Sequence, residues 1–470
     1  MPSLIRFTRT NNNPMSHIKD SAQQTTKTPE YILKILIVII TLATLIRISA
    51  ALYLGNGINE LPGVSDQITY HTLGDRLAKG YGFTFDRPWW PATPAGEQTA
   101  HWSYLYSYFV AGVYSLVGAQ PLMVRLLQVV LVGVLQTFLL YKLGRMTFGI
   151  PAGILAASLG SVYIYFVYYS ATLMTEPLYI TSILAVFVLT FLITGTTYQP
   201  RLTGRRATLA AMGLAIVIGT TILLRQVFLL ILPFLFLWIL VANRKTHFMQ
   251  TFLRLALVVI ILASIILPFT FFNYQRFGQF VLLNTNAGFA LYWANHPVYG
   301  THFQGILSPN QPTYLELLPT ELKGYNEAQL DSALLQRGVQ FILDDPGRYF
   351  LLSLSRIPVY FMFWPSPDSS FLSNVSRVGS FGLLLPFMLY GLIRSFSKSK
   401  NNKFPIDTPH FFLFFFIFIY SAIHILTWTL IRYRLPVDAV LLIFAGLGIS
   451  DLAQRFLPKE WMNRLNRVMR

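Results

Sequence analysis

Apolar residues in this chain gather in long unbroken runs, and a run of roughly twenty crosses a bilayer core as a helix. Ten such runs are legible, at about 31–54, 121–142, 150–168, 173–194, 207–224, 226–242, 251–272, 377–394, 409–430 and 436–453. Two other apolar stretches, 103–119 and 347–364, are interrupted by polar residues or proline, and Arg348 and Arg356 stand two turns apart in the second. Both are expected to lie in the interface plane. Tyr70, Leu73, Leu77 and Tyr81 recur at helical spacing, so an amphipathic helix is predicted with Asp66 near its head. "NEAQLDSALLQRGVQFILDD", 326–345, reads as a helix capped by Asn326 and ended by Pro346. Residues 1–30 are polar and aperiodic, an expected disordered tail and not a cleaved signal, and 456–470 form a basic tail. The predicted fold is all-α: one polytopic membrane domain over 31–455, with large loops at about 55–120 and 273–376 on one face.

Composition agrees with this threading. The chain is 54% hydrophobic and 12% charged, where a soluble domain carries about 25% charged residues. It has no cysteine, which excludes disulfides, thiolate nucleophiles and cysteine metal sites. With the N-terminus in the cytoplasm and the runs alternating, the cytoplasmic segments carry the whole net charge of +17. Basic clusters such as "KLGR", "RLTGRR" and "RSFSKSKNNK" fall on that side. The basic balance is therefore a topology signal, and no nucleic-acid partner is needed. A plasma (inner) membrane protein with both termini cytoplasmic is expected.

Ionisable groups at membrane depth are costly and are functional candidates by default. Those at the outer span ends are Asp66, Arg125, Glu176, Arg225, Arg276, Arg432 and Arg434. Acids beside several arginines could hold a phosphate and position a base, because the guanidinium fork matches phosphate oxygens. Bland readings stand beside these. An arginine near a span end can snorkel, as can Arg47 inside the first span. Glu176-Pro177 can be the first turn of a helix, and Asp66 or Ser65 its helix cap. His296 and His302 match no common metal spacing. No phosphate-binding loop, nucleophile elbow or dinucleotide fingerprint is present.

Several stretches resemble a known family: "SDQITYHTLGDRLAKGYGF", "VRLLQVVLVGVLQTFLLYKLGRMTFG" with "LMTEPLYI", "LLNTNAGFALYWANHPVYG" and "RYRLPVDAVLLIFAGLG". In order and placement they resemble GT-C glycosyltransferases that use polyprenyl-phosphate sugars. The nearest are bacterial protein O-mannosyltransferases and the lipid A aminoarabinose transferase, of the family 39 type. The resemblance implies an inverting sugar transfer to an acceptor hydroxyl on the extracytoplasmic face. It implies Asp66 as catalytic base, with Glu176 beside it. Arg432, Arg434, Tyr433 and Arg225 would meet the donor phosphate, and Tyr70, Arg125, Asn286 and Asn295 would line the substrate groove. Expected partners are the lipid-linked sugar donor, membrane lipids and a lipid, glycan or protein acceptor. This sequence departs from the family at Gln67, where several relatives have a second acid, so no metal or other cofactor is expected. A transporter or lipid flippase without covalent chemistry would share ten spans and embedded charges. No internal repeat is visible, and the charges cluster at one face.

Overall fold

The computed structural model describes residues 30–58, 65–245, 247–305, 307, 311–367, 369–397 and 406–456. Apart from Glu30 and Phe456, the expected tails lie outside the described residues. Among the described residues no β-strand forms, and only isolated bridges such as Thr84–Gln98 punctuate the loops. The spanning helices are α1 (Glu30–Leu54), α4 (Pro121–Phe148), α7 (Glu176–Thr194), α8 (Gly204–Leu224), α9 (Leu232–Asn243), α10 (Phe248–Phe277), α15 (Leu383–Ser397), α16 (Pro409–Leu426) and α17 (Leu435–Phe456). A 3-10 turn, Gln226–Ile231, lengthens α9; α14 (Phe371–Ser376) and a π-helical turn, Arg377–Gly382, lead into α15. Nine spans result among the described residues, and a tenth is broken: α5 (Ile150–Val162) and α6 (Ile164–Ser170) meet at a 57° bend.

The bend has a chemical signature. Breaking a helix orphans its last carbonyls, which in lipid must find other donors. Arg47 of α1, fully buried, donates to the Gly160 and Ser161 carbonyls at the end of α5, and to Gln136 Oε1. Arg47 is thus an interior tie and does not snorkel. At the break itself, the Ile164 amide donates to Ser380 Oγ, and the Tyr163 hydroxyl donates to Asp438.

α17 is the buried axis of the bundle, with Leu435 through Gly448 all inside. Glycines set its closest approaches. A Cβ at Gly446 would meet the Ala152 carbonyl at 2.5 Å, and one at Gly448 the Phe387 carbonyl at 2.6 Å.

The two large loops form the cap over one end. The first carries α2 (Asp66–Ala78) and α3 (Tyr104–Val117); the second carries α11 (Ala287–Asn295), α12 (Glu327–Asp344) and α13 (Pro346–Tyr360). Asn326 caps α12 as expected, within a capping box completed by Gln329, and Pro346 opens α13 as well as following α12. The loops share an aromatic seam in which Trp90 meets His101, Phe289 and Trp293. Buried Glu327 fastens them: Thr93, Thr99 and Thr285 donate their hydroxyls to it, and Ala100 its amide. Burial pushes the Glu327 carboxyl up from its ordinary value. Burial also holds the His101 imidazole down at about 4, while its Nδ1 lies 2.6 Å from the Thr285 carbonyl.

Candidate active site

Four charged side chains from four distant parts of the chain meet under this cap. Asp66 is the first residue of α2, and Ser65 makes no side-chain cap there. Instead of capping, Asp66 Oδ2 lies 2.5 Å from Arg432 Nη1. Arg432 Nη1 is also 3.5 Å from Glu176 Oε1. Glu176 in turn lies 2.6 Å from Arg225 Nη2, whose Nε donates to Thr175 Oγ1 at 2.9 Å. The side chains of Asp66 and Arg432 are 19% and 10% exposed, whereas that of Glu176 is 2% exposed. Of the two acids, Asp66 is therefore the reachable one.

Local sequence explains the placements. Pro177 tolerates the first turn of α7, where Glu176 meets the positive end of the helix dipole. Arg225 is extended, with φ −150° and ψ 112°, at the junction between α8 and the following 3-10 turn, so its side chain leaves both helix axes. Arg432 occupies the 3-10 turn Ile431–Arg434 that precedes Leu435-Pro436. Tyr433 is a platform for both cations: the Arg225 and Arg432 guanidinium carbons each lie 5.2 Å from its ring centre, and His424 stacks on the ring at 4.9 Å. Arg432 Nε is buried with no hydrogen-bond partner among the described residues.

The other sequence candidates separate by what takes their donors. Arg434 does not join the cluster. It pairs at 2.8 Å with Asp438, both side chains fully buried, and donates to the Tyr360 and Met362 carbonyls at the end of α13. Arg125 donates to the Gly55 and Gly57 carbonyls beyond α1 and, at 3.2 Å, to Gln67 Oε1. That amide oxygen also accepts from the Leu173 N–H at 3.2 Å, so Gln67 links the helix of Asp66 to the segment before Glu176. Tyr70 packs edge-on against Tyr106 and Trp102 behind Asp66. Asn286 accepts from Gln226 Nε2 at 2.6 Å, one residue from Arg225. Asn295 is buried and accepts from Arg356 at 3.0 Å, away from the four charges.

Sequence reasoning missed Thr175, His424, Gln226 and Asp438. Only Asp438 had a signal: an Arg and an Asp four apart can pair along a helix. Among the described residues, no group of three or more His, Asp or Glu side chains converges.

No family model and no curated protein matches the chain. Among solved structures it is similar to the archaeal oligosaccharyltransferase AglB from Archaeoglobus fulgidus in complex with an inhibitory peptide and a dolichol-phosphate. The TM-score is 0.55 at 16% identity, covering 91% of this chain and 51% of that chain. For the apo form of that oligosaccharyltransferase the TM-score is 0.55 at 16% identity, covering 92% and 52%. For ArnT from Cupriavidus metallidurans bound to undecaprenyl phosphate the TM-score is 0.41 at 12% identity, covering 89% and 78%. The chain spans about half the length of the oligosaccharyltransferase chains it matches. What is shared is the fold, a polytopic all-α bundle of the GT-C type.

Proposed function

We propose that this chain is a membrane glycosyltransferase that moves a sugar from a polyprenyl-phosphate donor to an acceptor hydroxyl, with inversion. The observation that carries this reading is the four-charge cluster, two carboxylates interleaved with two guanidinium groups at the capped end of a GT-C bundle. As it stands the cluster is neutral, and each cation is already paired. A donor phosphate entering from the lipid would compete with Asp66 for Arg432. Glu176, the more buried acid, keeps hold of both arginines, so Asp66 is the group displaced. At a separation of 4 Å and partial solvation a charge pair is worth about 4 kcal/mol, so exchanging one monoanion for another at Arg432 is nearly balanced.

Donor binding would then release the base. Asp66 takes the proton of the acceptor hydroxyl as its oxygen forms a bond to the anomeric carbon. The bond from that carbon to the phosphate oxygen breaks, and its electron pair leaves with the polyprenyl phosphate. Arg432 and Arg225 stabilise the growing phosphate charge in a poorly hydrated site. The broken span α5–α6 and the interfacial α3 and α13 would frame the lateral entry of the lipid tail. The expected concentration of the net +17 at the opposite side supports an extracytoplasmic site.

The test is reconstituted protein supplied with a labelled polyprenyl-phosphate sugar and a mixed envelope extract as acceptor. Free polyprenyl phosphate should accumulate with the label in an acceptor fraction. Movement of intact donor across the bilayer without release of the carrier phosphate would instead identify a flippase.

A further inference from the structure

A concavity lies along the solvent flank of α2. Its volume is about 450 Å³, and its walls include Asp75 and Arg76 from the helix and Lys79, Tyr81, Arg87 and Trp89 from the segment after it. Ligand sites fall in roughly the same range, about 300–1,000 Å³. The walls are tied in place. Arg76 Nε donates to Thr84 Oγ1 at 2.9 Å, and its guanidinium lies 4.9 Å from the Tyr81 ring centre. The Arg87 guanidinium lies 5.2 Å from the Trp89 ring centre, and Phe85 stacks on that ring at 5.6 Å. Trp89 Nε1 donates to Thr69 Oγ1 at 2.9 Å, which fixes the cleft wall to the first turn of the helix that Asp66 opens.

The lining selects a chemical class. It offers cationic donors, carboxylate acceptors and aromatic surface together, and Tyr81 is 61% exposed. Hydroxyl groups both donate and accept, and the apolar faces of sugar rings pack on aromatic ones. An acyl tail would find a largely charged wall. An extended peptide would need free backbone edges, but the Thr99 amide already donates to Phe83 and the Gly96 amide to Phe85. At a rise of about 1.5 Å per residue, Arg76 is roughly 15 Å along the helix from Asp66, the reach of a short oligosaccharide.

We propose that this cleft is a saccharide-binding subsite, which holds the body of a glycan acceptor while its terminal residue reaches over the head of α2 to Asp66. The acceptor assignment rests on the glycosyltransferase reading; sugar binding itself does not. The experiment is saturation-transfer NMR on the full-length protein in nanodiscs. Maltohexaose, chitohexaose and mannohexaose are the probes, with a Ser/Thr-rich decapeptide as the competing class. At least one hexasaccharide should bind. Tyr81→Ala/Arg87→Ala should weaken that binding tenfold or more. Both changed side chains are exposed, and Arg87→Glu alone replaces the double variant if that one unfolds. The cleft proposal is overturned if no hexasaccharide binds, if the cleft variants bind as wild type does, or if the cleft changes abolish peptide binding instead. Donor cleavage without hexasaccharide binding overturns the cleft proposal alone. Cleft-dependent hexasaccharide binding without donor cleavage keeps the sugar site and removes the transferase reading.

Discussion

Buried arginines in this protein do two kinds of work, and their bonding partners separate them. Arg47, Arg125 and Arg356 give their donors chiefly to main-chain carbonyls where helices end; Arg356, for example, reaches Ala294 in α11 and Ile425 in α16. Arg225 and Arg432 make their bonds to side chains, and their partners are acids and a threonine. Sequence could assemble this set of arginines but could not rank it, because a span-end arginine has the same signature in either role. Arg434 is the clearest instance: its neighbour motif suggested phosphate, whereas its Nε and Nη1 bond to Asp438 and to the end of α13. Removing one member of a buried pair typically costs about 3–5 kcal/mol, since the other charge is left bare. Arg434→Met should therefore lower the unfolding midpoint sharply, and Arg434→Met/Asp438→Leu should recover most of the loss. A variant of normal stability with weakened donor binding would return Arg434 to the phosphate site.

Asp331 gives a pH-dependent prediction at the same scale. It accepts from the Gly288 amide at 2.8 Å, and burial pushes its carboxyl up to about 6. The folded protein then holds a proton that the unfolded chain has released. Its contribution is fully present below about pH 4 and is lost as pH rises through 6, by an amount of order 3 kcal/mol. His101, held down at about 4, acts with the opposite sign over an overlapping range. The measurement is therefore the stability difference between wild type and Asp331→Asn. The variant should gain on wild type between pH 4 and 7, and a flat difference contradicts the assignment.

At the level of elements, hydrophobic patterning found each candidate span among the described residues, because a bilayer core demands runs of roughly twenty apolar residues. It also placed the amphipathic helix at Asp66 and the cap at Asn326. It could not foresee the bend at Tyr163, since an apolar run looks the same whether or not the helix inside it is continuous. Nor could it bring Asp66 to Arg432, 366 positions away in sequence. That meeting depends on how close the helices approach, and glycines decide this. A Cβ at Gly391 would run into the Phe444 carbonyl on α17, whereas one at Gly112 on α3 has nothing within 4 Å. Overpacking commonly costs about 1–3 kcal/mol. Gly391→Val should lower the unfolding midpoint by several degrees while Gly112→Val barely moves it, and equal effects would refute this packing account.

For the whole molecule, the proposed orientation rests on the distribution of charge along the sequence. The two loops, the four-charge cluster and the polar cleft share one end of the bundle, and the excess positive charge is assigned to the other. Because the chain has no cysteine, single substitutions report sidedness without background. Ala119→Cys should react with an impermeant maleimide added outside intact cells, and Thr197→Cys should react only after lysis; the reverse would place the site in the cytoplasm. The central claim is that Asp66 is a base held by Arg432 until donor phosphate takes its place. Asp66→Asn tests it most directly, by measuring sugar transfer and polyprenyl-phosphate binding on the same reconstituted protein. General-base help is typically worth about 10²–10⁴-fold, so transfer should fall by at least about a hundredfold. Binding of the polyprenyl phosphate should hold or tighten, because Arg432 no longer has a carboxylate to release. Near-normal transfer, or a matching collapse of phosphate binding, would contradict the account.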